Sequence, residues 1–190
     1  MEKQYERILV ISLAGIGDFI MATTTIRAIR ETFPKAKIDL LTFPKGTREV
    51  TDGGNYFNEI YLYTHRGNTL TKNKPPFFKT YFDALNLIIS LRKNKYDLSI
   101  SLFPSASNSL GFLAKLIGAK KRIGFQSKHY TDRIDWNYKE HKVDQNLKLL
   151  GPLGITPKDK KQFVHILKEN EVFAKEFLRK NRIGNGPLMG

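Results

Sequence analysis

A carboxylate follows a glycine-containing turn near the start of the chain. Asp18 comes directly after Ala14-Gly15-Ile16-Gly17, and this turn follows an apolar, mostly β-branched run at residues 8–11. Such a run predicts a strand that is buried on both faces of a sheet. Because ligands of open α/β sheets bind at the carboxyl ends of the strands, Asp18 is a candidate for chemistry at that edge.

Asp18 has two interpretations. Apolar residues recur at helical spacing after it, at Phe19, Ala22, Ile26 and Ile29, so a helix begins close to this carboxylate. As a helix cap, Asp18 accepts backbone N–H bonds and complements the helix dipole, which contributes about 0.5–2 kcal/mol. As a general base, it takes a proton from an attacking hydroxyl. Taken alone, the local pattern favours the cap.

The glycine spacing does not match the dinucleotide-binding fingerprint. That fingerprint needs a third glycine three residues after the second, where this chain has Ile20. Asp39 lies inside the second predicted strand instead of at its end, so a nucleotide-binding oxidoreductase is disfavoured. The sequence also lacks a P-loop, a Gly-x-Ser-x-Gly elbow and cysteine, and its four histidines have no metal-ligand spacing, so we expect no bound metal.

The composition bounds the class of protein. The 190 residues are 41% hydrophobic and 26% charged, which is typical of a soluble globular domain with a sizeable core. The net charge of +14 favours anionic partners such as phosphorylated glycans, nucleotides, nucleic acid or an acidic membrane, although solvated basic faces also account for it. Since the sequence shows no signal-peptide pattern and no apolar run near the ~20 residues of a membrane span, we expect a cytoplasmic protein.

Predicted strands and helices alternate along the chain. After the first strand and helix, strands are predicted at 37–43, 59–63, 97–103, 122–125 and 163–167. Helices are predicted near 47–51, at 77–93, from an N-cap within 105–108 to 117, at 141–150 and at 169–182, with a long loop at 126–140. This order predicts an α/β fold with a Rossmann-like, doubly wound, mostly parallel sheet and right-handed crossovers. Residues 187–190 look like the start of a further strand, so we expect a fragment of a longer protein.

Three stretches, taken in order, resemble glycosyltransferase family nine, the ADP-heptose:lipopolysaccharide heptosyltransferases. The first is ILVISLAGIGDFIMATTTIRAIRETFPKAKIDLL, residues 8–41. The second comprises residues 96–109 and 114–125 and ends in Arg122-Ile123-Gly124-Phe125. The third is HKVDQNLKLLGPLGI, residues 141–155. They occur in the same order as in the family, and the match as a whole runs along nearly the whole chain.

The resemblance implies a GT-B glycosyltransferase, in which two Rossmann-like domains face a cleft. The N-terminal domain of such an enzyme binds the acceptor and the C-terminal domain binds the nucleotide-sugar, and transfer is inverting and metal-independent. On this basis residues 1–160 form the N-terminal acceptor-binding domain, and residues 161–190 form an interdomain segment and the truncated start of the donor domain. We therefore expect the isolated chain to lack the nucleotide-sugar site and to be inactive.

The resemblance also assigns residues. Asp18 falls on the family's proposed catalytic base, and the substrate-binding candidates are Ser12, Gly15, Gly17 and Arg122. The chain departs from the family at the end of the fourth strand, where Ser101-Leu102-Phe103-Pro104 replaces a polar Asp or Gln that faces the acceptor.

Basic residues in two predicted loops are candidate contacts to acceptor phosphates. They are Arg66, Lys72 and Lys74 in one loop and Lys128 and Arg133 in the other. For any one of them a solvated side chain is the simpler interpretation. The start of the following helix, Pro75-Pro76-Phe77-Phe78-Lys79, could touch an anionic membrane, although such aromatics more often pack onto the sheet.

The sequence therefore predicts an enzyme of lipopolysaccharide biosynthesis. It would move a heptose or related sugar from an ADP-sugar donor to a lipopolysaccharide core or other cell-surface glycan, without a further cofactor, in the cytoplasm or peripherally at the inner face of the inner membrane. No specific nucleic-acid partner is expected. The alternative is a non-catalytic, basic α/β module that binds a phosphorylated glycan or nucleic acid.

Overall fold

A computed structural model describes residues 4–43, 54–63, 77–102 and 108–181. The strands are β1 (Arg7–Ser12), β2 (Lys37–Thr42), β3 (Glu59–Leu62), β4 (Leu98–Ser101), β5 (Lys121–Phe125) and β6 (Asp132–Ile134). The α-helices are α1 (Ile16–Thr32), α2 (Phe77–Lys93), α3 (Asn108–Ile117), α4 (Lys142–Lys148) and α5 (Lys168–Lys180), and a 3-10 helix spans Gly151–Leu153. The six strands form one sheet in the order β3-β2-β1-β4-β5-β6, and every pairing is parallel. The predicted α/β, Rossmann-like class is confirmed.

Strand β1 lies in the middle of the sheet and is buried on both faces, as predicted. Residues 8–12 are all buried, and Val10 lies in register with Leu40 of β2 and Ile100 of β4. The near-continuous apolar run is therefore explained by a helix layer on each side.

The two helix layers divide the side chains of β1 between them. Ile8 and Val10 share one apolar cluster with the four apolar positions predicted for the first helix, each at most 3% exposed: Phe19, Ala22, Ile26 and Ile29. Leu9 and Ile11 point the other way, into a cluster built from α2 and α3. Helix α4 packs beside α1 on the first face. The alternation along β1 and the helical period along α1 thus meet in one core.

The sequence marks the ends of two helices correctly. Gly118 follows α3 with φ of 85°, a left-handed conformation that favours glycine. His141 precedes α4, and its ring Nδ1 accepts a hydrogen bond from the backbone N–H of Val143 at 3.3 Å. His141 is therefore a structural helix cap.

Strand β6 was not predicted, because the sequence at 126–140 looks like one long loop. It has only three residues and none is buried, so no apolar alternation marks it. It pairs parallel to β5 after the short connection at residues 126–131, where parallel strands usually need a crossover of a dozen or more residues. Thr131 closes this connection, since its backbone N–H and its hydroxyl both donate to the carbonyl of Arg122 at 2.9 Å.

The strand predicted at 163–167 is wrong. This segment instead crosses the outer side of α1 without joining the sheet. The Phe163 N–H donates to Thr23 Oγ1 at 3.1 Å, and Thr24 Oγ1 donates to the carbonyl of Lys161 at 2.9 Å. The Phe163 ring also lies 4.7 Å from that of Tyr56. Backbone groups that would pair with a neighbouring strand in a sheet instead form hydrogen bonds with threonines of α1.

The remaining predictions concern the chain ends and one loop. The predicted helix at 169–182 is confirmed as α5, none of whose side chains is buried. The helix near 47–51 and the strand start at 187–190 lie outside the described residues. The boundary between residues 160 and 161 stays a prediction, and the contacts of residues 161–163 with α1 cross it. No described helix has the length and apolar character to cross a bilayer.

Candidate functional site at the β1–α1 turn

The turn between β1 and α1 brings four of the predicted site residues together. Strand β1 ends at Ser12, whose side chain is buried, and Gly15 is the N-cap of α1 with extended backbone angles. The carbonyl of Gly15 accepts the first helical bond from Phe19 N–H at 3.0 Å. Asp18 is consequently the third helical residue. The helix begins two residues earlier than predicted, so Asp18 does not occupy the cap position.

No described residue packs against the two glycines at the start of α1. A Cβ added at Gly15 or Gly17 would meet no atom within 4 Å in the part of the chain that the structure describes. Packing among those residues therefore does not demand glycine at either position. Small residues here leave the first backbone N–H groups of the helix accessible, and such groups bind negatively charged ligands.

Asp18 is paired with a lysine from α4. Lys142 Nζ donates to Asp18 Oδ1, with the two side chains 46% and 26% exposed. Asp18 Oδ2 has no hydrogen-bond partner among the described residues. The carboxylate is thus held through one oxygen at the carboxyl edge of the central strand, and its second oxygen is available to accept a proton.

Lys142 is a site residue that the sequence did not reveal. It stands 124 positions from Asp18, and no spacing rule connects them. Two local features place it: His141 caps α4, which makes Lys142 the first helical residue, and buried Val143 anchors the helix against the core. The packing of α4 on α1 then brings the ammonium to the carboxylate.

The last residue of each of the three central strands, next to this turn, has a hydroxyl side chain. Ser12 of β1, Thr42 of β2 and Ser101 of β4 are all buried, and Ser12 and Thr42 lie in register. Ser101 and Leu102 occupy the place where the resembled family has a polar Asp or Gln, and both are buried. In the described structure this part of the edge therefore presents no charged group.

Arg122 lies away from the turn. It is in register with Ser99, which is in register with Leu9, three residues before Ser12. At about 3.3 Å per residue this places the Arg122 backbone roughly 10 Å back along the strands. The structure does not bring Arg122 to Asp18, and its predicted substrate-binding role stays a prediction.

The guanidinium of Arg122 holds backbone carbonyls. Its Nε donates to the carbonyl of His129 at 3.0 Å, and its Nη1 donates to that of Ala119 at 2.7 Å. These two carbonyls belong to the segments that enter and leave β5. Arg122 therefore stabilises the tight connection to β6.

Replacing Arg122 by lysine is expected to lower the free energy of unfolding by about 1.5–3 kcal/mol, because one ammonium cannot reach both carbonyls in the same geometry. Urea unfolding followed by circular dichroism measures the change. Arg133→Lys on exposed β6 is the matched control and should stay within about 0.5 kcal/mol of wild type. Equal stability of the Arg122 and Arg133 variants would contradict a structural role for Arg122.

Two of the five predicted phosphate contacts lie among the described residues. Lys128 is exposed in the β5–β6 connection, and Arg133 is exposed on the edge strand β6. Arg66, Lys72 and Lys74 lie outside the described residues. Trp136, which the sequence places near Lys128 and Arg133, packs edge-on against Phe125 at 5.1 Å and so belongs to the core side of this loop.

Asp39, the acidic residue of β2, is fully buried. Tyr96 donates its phenolic O–H to Asp39 Oδ2 at 2.8 Å. Burial raises the pKa of the Asp39 carboxyl, and the hydrogen bond from Tyr96 opposes this only in part. A carboxyl enclosed within the sheet cannot contact a nucleotide ribose, which agrees with the failed dinucleotide fingerprint.

Comparison with curated proteins identifies relatives of this chain. It is 30% identical over 150 residues to lipopolysaccharide heptosyltransferase 3 of Escherichia coli strain K12, an alignment that covers 74% of this chain and 40% of that protein. A second lipopolysaccharide heptosyltransferase 3 from Escherichia coli is 26% identical over 148 residues. The chain thus spans about two-fifths of the length of the curated relatives it matches. No protein-family model matches it.

Solved structures share the fold. A glycosyl transferase of family 9 from Veillonella parvula superimposes with a TM-score of 0.71 at 20% identity, covering 99% of this chain and 53% of that one. Escherichia coli ADP-heptose lps heptosyltransferase II gives a TM-score of 0.66 at 16% identity, covering 94% and 51% respectively. The resemblance to heptosyltransferases, seen first in three sequence stretches, is confirmed.

Proposed function

We propose that this relative of the lipopolysaccharide heptosyltransferases is the acceptor-binding half of an inverting glycosyltransferase. The complete enzyme would transfer a heptose or related sugar from an ADP-sugar to a lipopolysaccharide core or similar cell-surface glycan. The observation that carries the proposal is Asp18 in the first turn of α1, bonded through Oδ1 to Lys142 and with Oδ2 unbonded among the described residues. The names of the relatives supply the sugar and the acceptor class.

In the proposed reaction an acceptor hydroxyl lies against Asp18 Oδ2. The carboxylate removes its proton as the hydroxyl oxygen forms a bond to the anomeric carbon of the donor. The bond from that carbon to the ADP oxygen breaks, its electron pair leaves with ADP, and attack opposite the leaving group inverts the centre. Lys142 acts as a positioning residue, since its bond to Oδ1 keeps Oδ2 turned towards the acceptor.

The domain arrangement is part of the same proposal. Residues 1–160 form the acceptor-binding domain, and residues 161–190 lead into a donor domain that holds most of the nucleotide-sugar. Two observations support this division. The chain spans about two-fifths of its curated relatives, and α5 buries no side chain against the sheet domain.

Anionic groups on the acceptor would meet the basic side chains of this half. We assign Lys128, Arg66 and Lys72 as contacts to acceptor phosphates, and Ser12, Gly15 and Gly17 as the turn that shapes the acceptor site. The net charge of +14 supports this assignment. The same charge favours the alternative function, a basic, non-catalytic module that binds a phosphorylated glycan. We place the enzyme in the cytoplasm.

Transfer by a complete enzyme tests the proposal. The chain is joined to the remaining part of Escherichia coli heptosyltransferase 3, and ADP release is measured with ADP-heptose and a lipopolysaccharide core that lacks the terminal heptose. We expect ADP release that depends on the core, and a core product heavier by one heptose. A fusion that folds and binds ADP-heptose but heptosylates no core would refute the glycosyltransferase and leave the non-catalytic module.

A further inference from the structure

Helix α2 exposes an apolar stripe on the side away from the core. Its core side carries Leu91, which is fully buried, and Leu87, which packs against the cluster around Leu9 and Ile11. Its outer side carries five large apolar residues that are 40–74% exposed: Phe78, Tyr81, Phe82, Leu85 and Ile89. These side chains are spaced by three, one, three and four positions, so they form one band about 100° wide along the helix.

The band is bordered by positive charge. Lys79 and Lys93 lie on the polar side of α2 next to it, and the acidic residue of the helix, Asp83, lies farther round the polar face. Between positions 64 and 82 the sequence contains Lys and Arg residues but no Asp or Glu. An amphipathic helix with aromatic and aliphatic residues on one face and lysines beside them is the pattern that lies in the interface of an anionic bilayer.

A second helix with exposed aromatic residues differs in the charges beside them. Helix α5 exposes Phe173 and Phe177, spaced by four residues like Phe78 and Phe82. It carries three glutamates, Glu169, Glu171 and Glu176, against four basic residues, and Lys175 is paired with Glu171 at 2.7 Å. Acidic residues beside the α5 aromatics disfavour an anionic lipid surface. The two helices therefore carry matched pairs of phenylalanines, and we expect the pair on α2, but not the pair on α5, to bind an anionic lipid surface.

We propose that the outer face of α2, formed by Phe78, Tyr81, Phe82, Leu85 and Ile89, docks this chain on a bilayer that contains anionic lipid. The aromatic and aliphatic side chains enter the interface, and Lys79 and Lys93 pair with lipid phosphates. This deepens the proposed function, because it places the enzyme at the membrane in which a glycolipid acceptor is anchored.

The topology of the sheet determines which end of α2 lies near Asp18. Helix α2 is joined by residues 94–97 to the amino end of β4, so its C-terminus lies at the amino edge of the sheet and its N-terminus points towards the carboxyl edge. Seventeen residues span about 25 Å, which is enough to run the length of the strands. Phe78, Tyr81 and Phe82 consequently lie at the end of α2 nearer to the edge that carries Asp18.

Vesicle sedimentation of the purified 190-residue chain tests the docking face without requiring sugar transfer. We expect binding to vesicles of phosphatidylethanolamine and phosphatidylglycerol, and weak binding to pure phosphatidylcholine. The double variant Phe78→Ser/Phe82→Ser should bind the anionic vesicles at least about tenfold more weakly, because each phenylalanine that enters an apolar phase contributes more than a tenfold change. The matched control, Phe173→Ser/Phe177→Ser, should bind like wild type. Thermal unfolding of each variant shows whether it is folded.

A second measurement does not depend on weakening the fold. In Phe82→Trp, fluorescence should be quenched by vesicles with brominated acyl chains to a greater degree than in Phe173→Trp, and Trp136 gives the same background in both. Equal quenching in the two variants, or equal loss of binding in the two double variants, would overturn the proposal. So would a concentration-dependent dimer that Phe78→Ser/Phe82→Ser dissociates while vesicle binding is absent in wild type. Binding with failed transfer in the fusion would leave the docking face standing and refute only the proposed function.

Discussion

Asp18→Asn in the fusion with the donor half of heptosyltransferase 3 is expected to lower kcat by about 10²–10⁴-fold and to leave the acceptor KM nearly unchanged. Asparagine has almost the shape of aspartate and still offers an oxygen to Lys142. It cannot take a proton from the attacking hydroxyl. The loss therefore falls on the chemical step, and steady-state kinetics with ADP-heptose and varied core concentration separates the two parameters.

Three further variants make this test specific. Lys142→Met removes the ammonium that bonds to Asp18 Oδ1, and we expect a smaller loss of kcat that Lys142→Arg partly restores. Asp144→Asn is the matched control, because Asp144 lies on the same helix in an exposed pair with Lys160 at 2.6 Å. Its kcat should equal that of wild type. A kcat for Asp18→Asn near the wild-type value would show that Asp18 is not the base.

Gly124→Ala is expected to lower the free energy of unfolding by about 3 kcal/mol, the upper part of the range for overpacked cores. Gly124 lies in β5, where an added Cβ would be 2.6 Å from Tyr130 Cε1 and closer still to Cζ. Tyr130 is buried between the sheet and α3, so its rigid ring has little room to move. For a domain of this size the melting temperature should fall by about 6–12 °C, as scanning calorimetry would show.

Gly17→Ala controls for the loss of a glycine as such. A Cβ there meets no described atom within 4 Å, and alanine favours a helical position, so the melting temperature should stay the same or rise slightly. In the background of Tyr130→Leu, which removes the ring tip, Gly124→Ala should cost much less. If Gly124→Ala melts like wild type, or if Tyr130→Leu gives no relief, the close packing of β5 on Tyr130 is incorrect.

Hydrophobic periodicity predicted the central fold well. The apolar run of β1 and the helical spacing of Phe19, Ala22, Ile26 and Ile29 both reported the burial that the structure shows. The prediction succeeds because a central strand and the helix that follows it are packed against neighbouring elements. The positions that those elements bury are therefore apolar, and the sequence shows this spacing directly. The fold class, the parallel sheet and helix ends such as Gly118 followed from the same local rules.

Features that depend on distant contacts were not predictable. Strand β6 is short and carries no buried residue, and its parallel pairing depends on the carbonyls that Arg122 and Thr131 hold. The segment around Phe163 has strand-like residues, but side chains of α1 bind its backbone from about 140 positions away. Lys142 reaches Asp18 only after α4 has packed on α1. In each case tertiary contacts override what a local pattern can record.

At the candidate site, the sequence located the turn and its carboxylate but not the carboxylate's partner. Asp18 is predicted at the start of a helix, and the structure places it three positions after the N-cap residue, Gly15. Two of the three stretches that carry the family resemblance, 8–41 and 141–155, contain α1 and α4, and the structure shows that these helices pack together. The bond between Asp18 and Lys142 itself required the packed structure.

Calorimetric titration of the purified 190-residue chain tests the central claim most directly, because this claim assigns the acceptor to these residues and the nucleotide-sugar mainly to others. The chain is titrated separately with lipopolysaccharide core oligosaccharide and with ADP-heptose. We expect saturable binding of the core, weakened by salt as its phosphates are screened, and no detectable binding of ADP-heptose. Tight binding of ADP-heptose without binding of the core would contradict the account.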